Sequence, residues 1–149
     1  MIDPYSPPIH GRPSIGNLPV GSVSAYAGAI DPGQGTGLEA WGWMLCDGRS
    51  LAAAHYPQLF ATLGYLYGGR EGAFNIPDYR GAFLRGVDHG SGNDPDASSR
   101  TAPHGGVAGG VGSTQASTFQ DHGQSHDATV GQAARPANIA VNYIIKVSG

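Results

Sequence analysis

With 149 residues and a formal net charge of −3, the chain has room for one compact domain and not comfortably for two. Glycine and proline supply about a quarter of it, charged residues 13 %, and Leu, Ile, Val and Phe together about 19 %, which is a thin supply for a self-sufficient core. The small net charge argues against the charge imbalance of a disordered chain, so the composition fits a turn-rich domain stabilised by partner chains.

No apolar run approaches the ~20 residues that span a bilayer. The opening stretch lacks the basic and apolar regions of a signal peptide. The seven Arg and one Lys are scattered, leaving no basic stripe to neutralise nucleic-acid phosphates. The single Cys46 excludes an intramolecular disulfide framework and a multi-cysteine zinc site within one chain.

Along the chain, residues 1–18 hold Pro4, Pro7, Pro8 and Pro13, with Pro19 at the boundary. Proline fixes φ and removes donors, so this segment reads as an extended arm, either a free tail or docked on a partner. Residues 20–27 and 41–46 have β character, the second closed by the turn signal Asp47-Gly48. The spacing predicts one short helix over 57–63: Pro57 suits its first position, Gly64 the position after its end, and Leu59, Phe60 and Leu63 form one apolar face. Phe83, Leu84 and Val87 form a further strand candidate, and Pro77 marks a bend.

Residues 89–134 are the least core-like part of the sequence, with Val107, Val111, Phe119 and Val130 as their sizeable apolar groups. A structureless stretch of that length is improbable in a compact domain unless it is functional or ordered by other chains. The chain then closes on the apolar run 138–147, predicted to be a strand buried on both faces. Residues 89–134 are therefore an excursion from the core and not a tail.

No catalytic motif is present: there is no nucleophile elbow, P-loop or H-E-x-x-H. Cys46 reads as a small buried residue on an apolar strand. Asp94 and Asp96 lack the full spacing of a calcium loop and read as a turn. Asp88 with Asp94 or Asp96 is the one loose group of carboxylates for a glycan-cleaving enzyme. His122 and His126 leave two readings open. Either both are exposed loop residues, or a threefold assembly gathers them on its axis around a Zn or Fe ion, since two imidazoles alone are too few for a stable site.

Five blocks in order carry a specific pattern: Pro19-Val-Gly-Ser-Val-Ser-Ala-Tyr-Ala-Gly28, Trp41-Gly-Trp-Met-Leu-Cys-Asp-Gly48, Tyr56-Pro-Gln-Leu-Phe60, Phe74-Asn-Ile-Pro-Asp-Tyr-Arg-Gly-Ala-Phe-Leu-Arg-Gly-Val-Asp88, and Arg135-Pro-Ala-Asn-Ile-Ala-Val-Asn-Tyr-Ile-Ile-Lys146. Over residues 19–147 they resemble the phage tail collar domain family of tail fibres and baseplate tips, in phages and phage-like contractile particles, and its microcystin-dependent-type bacterial relatives. The resemblance implies a mainly β fold with much irregular Gly-rich loop, assembled as an intertwined homotrimer.

Together these readings point to a non-enzymatic structural and adhesion component of a phage or phage-like tail. It would be made in the host cytoplasm without a signal peptide and would function outside it. Its arm would dock on another tail or baseplate protein. Its 89–134 excursion would contact a host cell-surface glycan or protein through His104, Phe119, His122, Gln124 and His126. A baseplate part without receptor contact, and a free bacterial protein, are the alternatives. Family members often carry Phe-x-x-His-x-His with an axial metal. Phe119-Gln-Asp-His122 matches the start, but Gln124 occupies the second ligand position and the next histidine is His126. Trp41, Trp43, Asp78, Arg80, Arg85, Asp88 and Tyr143 are the expected structural or interchain residues, with the two arginines pairing with Asp78 or Asp88 between chains.

Overall fold

The computed structural model describes residues 18–30, 37–116 and 137–148. The N-terminal arm, Phe119, His122, Gln124 and His126 lie outside these residues. Within them the chain is mainly β. Two three-stranded antiparallel sheets carry one helix and long irregular connections.

The first sheet has the order β1-β6-β2, formed by β1 (Val23–Tyr26), β2 (Trp43–Leu45) and β6 (Asn142–Lys146). The C-terminal strand is thus the central one, and Ile145 lies opposite both Val23 on β1 and Met44 on β2. Successive strand residues point to opposite faces. Ile144 and Ile145 are 6 % and 1 % exposed, so both faces of β6 are covered, as the near-continuous apolar run predicted.

The second sheet has the order β3-β5-β4, formed by β3 (Ser50–Ala52), β4 (Gly69–Arg70) and β5 (Ala73–Asn75). Strands β4 and β5 form a hairpin whose two linking residues, Glu71 and Gly72, both have positive φ. That is the requirement of a type I′ turn, whose twist matches that of its strands. Between the sheets the backbone ladder continues. Tyr79 N–H donates to the Cys46 carbonyl, Gly48 N–H to that of Pro77 and Ile76 N–H to that of Arg49. Pro77 has no N–H, and here it contributes its carbonyl alone.

Helix α1 (Pro57–Leu63) has Pro57 at its first position and ends on Gly64 at φ 51°, as the sequence predicts. Seven residues make fewer than two full turns, so packing rather than propensity must hold it. Leu59 is fully buried, and Phe60 and Leu63 pack on the same core. That core joins Met44, Cys46, Leu59, Phe74, Ile76, Ile145 and Val147 from both sheets and the helix. The Phe60 ring stands 5.3 Å from that of Phe74.

Four expectations are corrected. Phe83, Leu84 and Val87 belong to no strand in this chain; β6 begins at Asn142 and not at 138; Trp41 sits in a 3-10 turn (Glu39–Trp41) ahead of β2; and residues 50–52 and 69–75 form the second sheet, which the sequence reading missed. Strands of two or three residues are too short to show the period-2 alternation by which strands are recognised. Phe74 is fully buried where sheet and helix meet. Phe74→Ala is expected to cost about 3–5 kcal/mol, read as a drop in urea unfolding free energy, whereas an exposed Val107→Ala should change it little.

Candidate functional site

The junction of the two sheets carries two matching Asp-x-Arg turns. Arg49 grips both carboxylate oxygens of Asp47 at 2.7–3.0 Å, and Arg80 grips Asp78 through Nε at 2.8 Å and Nη2 at 2.6 Å. In each turn the arginine backbone N–H also donates to the same carboxylate. Asp47 and Asp78 are themselves opposite each other in a β-bridge. Partial burial alone would raise the Asp47 carboxyl, but the Arg49 hydrogen bonds outweigh it and hold the group below its ordinary value. The hydrogen bond from Arg80 does the same for Asp78.

Beneath this junction Tyr67, Tyr79 and Tyr143 stack edge to face, with centroids 6.2 and 6.3 Å apart. The Tyr67 and Tyr79 hydroxyls share a 2.8 Å hydrogen bond. Burial, then that bond, pushes the Tyr79 hydroxyl well above its ordinary value. Burial, reinforced by Asp47 and Asp78, pushes the Cys46 thiol up to about 12, which makes it inert as a nucleophile at neutral pH. At the far end of the sheet Lys146 Nζ lies 5.6 Å from the Trp43 ring and donates to the Trp41 carbonyl, while the Trp41 side chain itself is 77 % exposed.

Charge rather than apolar packing orders the stretch after Asp88. The Asp88 carboxylate accepts from the Ser91 hydroxyl and from the backbone N–H groups of Gly92 and Asp94. Those bonds hold its pKa far below the usual carboxylate range. Asp94 is the one buried charged side chain among the described residues. It is clamped between Arg85 Nη2 at 2.7 Å and Arg100 Nε at 3.2 Å. Arg85 therefore pairs with Asp94 and not with Asp88, whose oxygens are already taken by its own turn. The Arg80–Asp78 pair likewise forms within one chain. Beyond Arg100, Thr101 and Thr114 exchange backbone bonds and tie off the loop between them.

Between this stretch and the sheet junction lies an open cleft of about 1390 Å³. Tyr67, Tyr79 and His104 line it together with Phe83, Leu84 and Val111. Of the predicted contact residues, the structure thus brings His104 to a concave surface. Among the described residues no three His, Cys, Asp or Glu side chains converge as a metal site, and no helix is long and apolar enough to cross a membrane. The Asp94 clamp and the Asp47–Arg49 turn were missed as site residues. The repeated Asp-x-Arg spacing was a visible signal for the turn, but nothing local announces that Arg85, Asp94 and Arg100 meet.

Residues 21–84 match the phage tail collar domain. Protein RhiB of Rhizobium leguminosarum bv. viciae is 43 % identical over a 164-residue alignment that covers 87 % of this chain and 75 % of RhiB. The chain belongs to the phage tail collar domain family. A second relative, the short tail fiber protein gp12 of Enterobacteria phage T4, is 31 % identical over 74 residues, half of this chain and 13 % of gp12. Over its collar region the chain is thus tail-fibre-like, and the collar match ends at residue 84, shortly before the charge-ordered stretch that follows Asp88.

Two outcomes follow from the charged groups. Asp94→Ala leaves two guanidiniums facing an empty space, and losing one partner of a buried pair costs about 3–5 kcal/mol; trypsin should cleave faster at Arg85 and Arg100 in the variant. The lowered carboxyl groups of Asp47, Asp78 and Asp88 contribute stability above their unfolded pKa, near ~4, and that contribution is lost as pH falls through the folded values. Urea unfolding at stepped pH should show stability declining below about pH 4, with a shallower acid limb for Asp88→Asn.

Proposed function

We propose that this protein is a non-enzymatic structural and adhesion component of a phage or phage-like tail, a short fibre, tip or baseplate part that acts as a homotrimer. The observation that carries the reading is the imbalance of its apolar surface. Among the described residues more large apolar side chains stand exposed than are buried, including Ile139 at 91 %, Trp41 and Val107 at 77 % and Phe83 at 66 %. Clustered apolar surface marks interaction sites, and Phe83 with Leu84 and Ile139 with Val141 stand exposed close together in the chain. The collar match and the similarity to the T4 short tail fiber protein support a structural, tail-fibre-like reading.

Host contact falls to the 89–134 excursion, with His104 on the cleft wall as its described representative. The carboxylates a glycan-cleaving rival would use favour binding over cleavage. A general acid needs a raised pKa, whereas Asp88 is held low by its own turn; the oxygens of Asp94 are engaged by two arginines.

Light scattering on the purified protein should give three times the 15.3 kDa protomer mass. The labelled trimer should bind host cells saturably and release no oligosaccharide from their polysaccharide. A folded monomer, or released sugar, would sink the proposal.

A further inference from the structure

Two β-type runs are left without a partner strand. Residues 83–87 pass from the turn at Gly81 to the Asp88 loop with no turn, bend or positive φ. Among the described residues, none of their backbone N–H or C=O groups is hydrogen-bonded. Phe83 is 66 % and Leu84 44 % exposed. Residues 139–141 run straight into β6, equally without a backbone bond, and Ile139 and Val141 are 91 % and 42 % exposed. Both are runs that the sequence marks as strand and that no described residue of the same chain pairs. An extended segment with apolar side chains and open backbone groups is a template for another strand.

We propose that these two runs are the halves of an intermolecular β-ladder, in which residues 83–87 of one copy pair with residues 139–141 of the next. The inference rests on the trimer reading and adds the contact that builds it. A second copy is the occupant that the chemistry favours. Neither run presents an unneutralised charge, because the Arg85 guanidinium is held by Asp94 at 2.7 Å, so identical chains approach without like-charge repulsion. Two different runs on one chain make a head-to-tail contact, which a rotation can close into a ring, whereas like-with-like pairing is twofold and stops at a dimer. The approach to the first run lies beside the end of the second. One small hollow of about 160 Å³ is lined by Arg80 and Gly81, just before the first run, and by Val141 and Asn142, at the end of the second. Three copies turned about a nearby axis bring each run to its neighbour's counterpart.

The test combines paired cysteines with proline. Four double variants join Phe83→Cys or Leu84→Cys to Ile139→Cys or Val141→Cys, with Cys46 left in place because it is 1 % exposed. Mild oxidation should cross-link at least one double variant into covalent trimers, while the four single variants stay uncross-linked on a non-reducing gel. Phe83→Pro and Leu84→Pro remove N–H groups that bond nothing among the described residues of the protomer, so circular dichroism should stay unchanged. Since alternate strand N–H groups face opposite sides, at least one of the two should reduce the mass to that of the monomer. A trimeric mass with no cross-link in any pair, and with both proline variants still trimeric, overturns the ladder and leaves the trimer standing. A monomeric parent protein overturns both. Covalent dimers from single variants overturn the head-to-tail arrangement.

Discussion

Everything else in the fold hangs on the insertion of β6 between β1 and β2. One strand from the end of the chain supplies the middle of the first sheet. Its Ile144 and Ile145 cover both sheet faces, and Ile145 and Val147 reach the core shared with Phe74 and α1. Strands β5 and β6 are each fixed in a sheet, so the long stretch between them is a connection held at both ends.

That core is small, and the parts of the chain beyond it are held by other means. At the sheet junction the Asp47–Arg49 and Asp78–Arg80 turns close on each other, and after Asp88 a single buried carboxylate gathers two arginines. Exposed ion pairs contribute little, whereas the Asp94 carboxylate and Arg100 are shielded from water and fix geometry, with Arg85 joining from the solvent side. Ordering a loop by hydrogen bonds and charge, without apolar packing, leaves its apolar side chains free to face outward. Phe83, Leu84, Val107 and Val111 do so, and a surface of that kind suits a protein that works as part of an assembly.

How much was legible depended on length and locality. The helix was readable to the residue, since Pro57, Gly64 and the Leu59, Phe60, Leu63 face are all local signals. The burial of β6 was readable from its near-continuous apolar run, and the burial of Cys46 from its neighbours. Strands β3, β4 and β5 were not, because two or three residues carry too little pattern, and the Glu71-Gly72 turn puts a non-glycine residue at positive φ. Of the candidate site, the sequence reading had both arginines pairing with Asp78 or Asp88 between chains. The structure pairs Arg80 with Asp78 within one chain and brings Arg85 to Asp94, which no local spacing singles out, while His104 lines the cleft.

By itself the amino-acid sequence determined the class of the protein: its collar pattern, its mainly β character, its one helix and its shortage of core. These rest on residue types and spacings that act within a few positions of one another. Only the tertiary structure decided which strand became central, which carboxylate the arginines would share, and which β-type runs would find no partner among the described residues. Those outcomes depend on competition between distant segments for the same neighbours, and no local propensity encodes who wins.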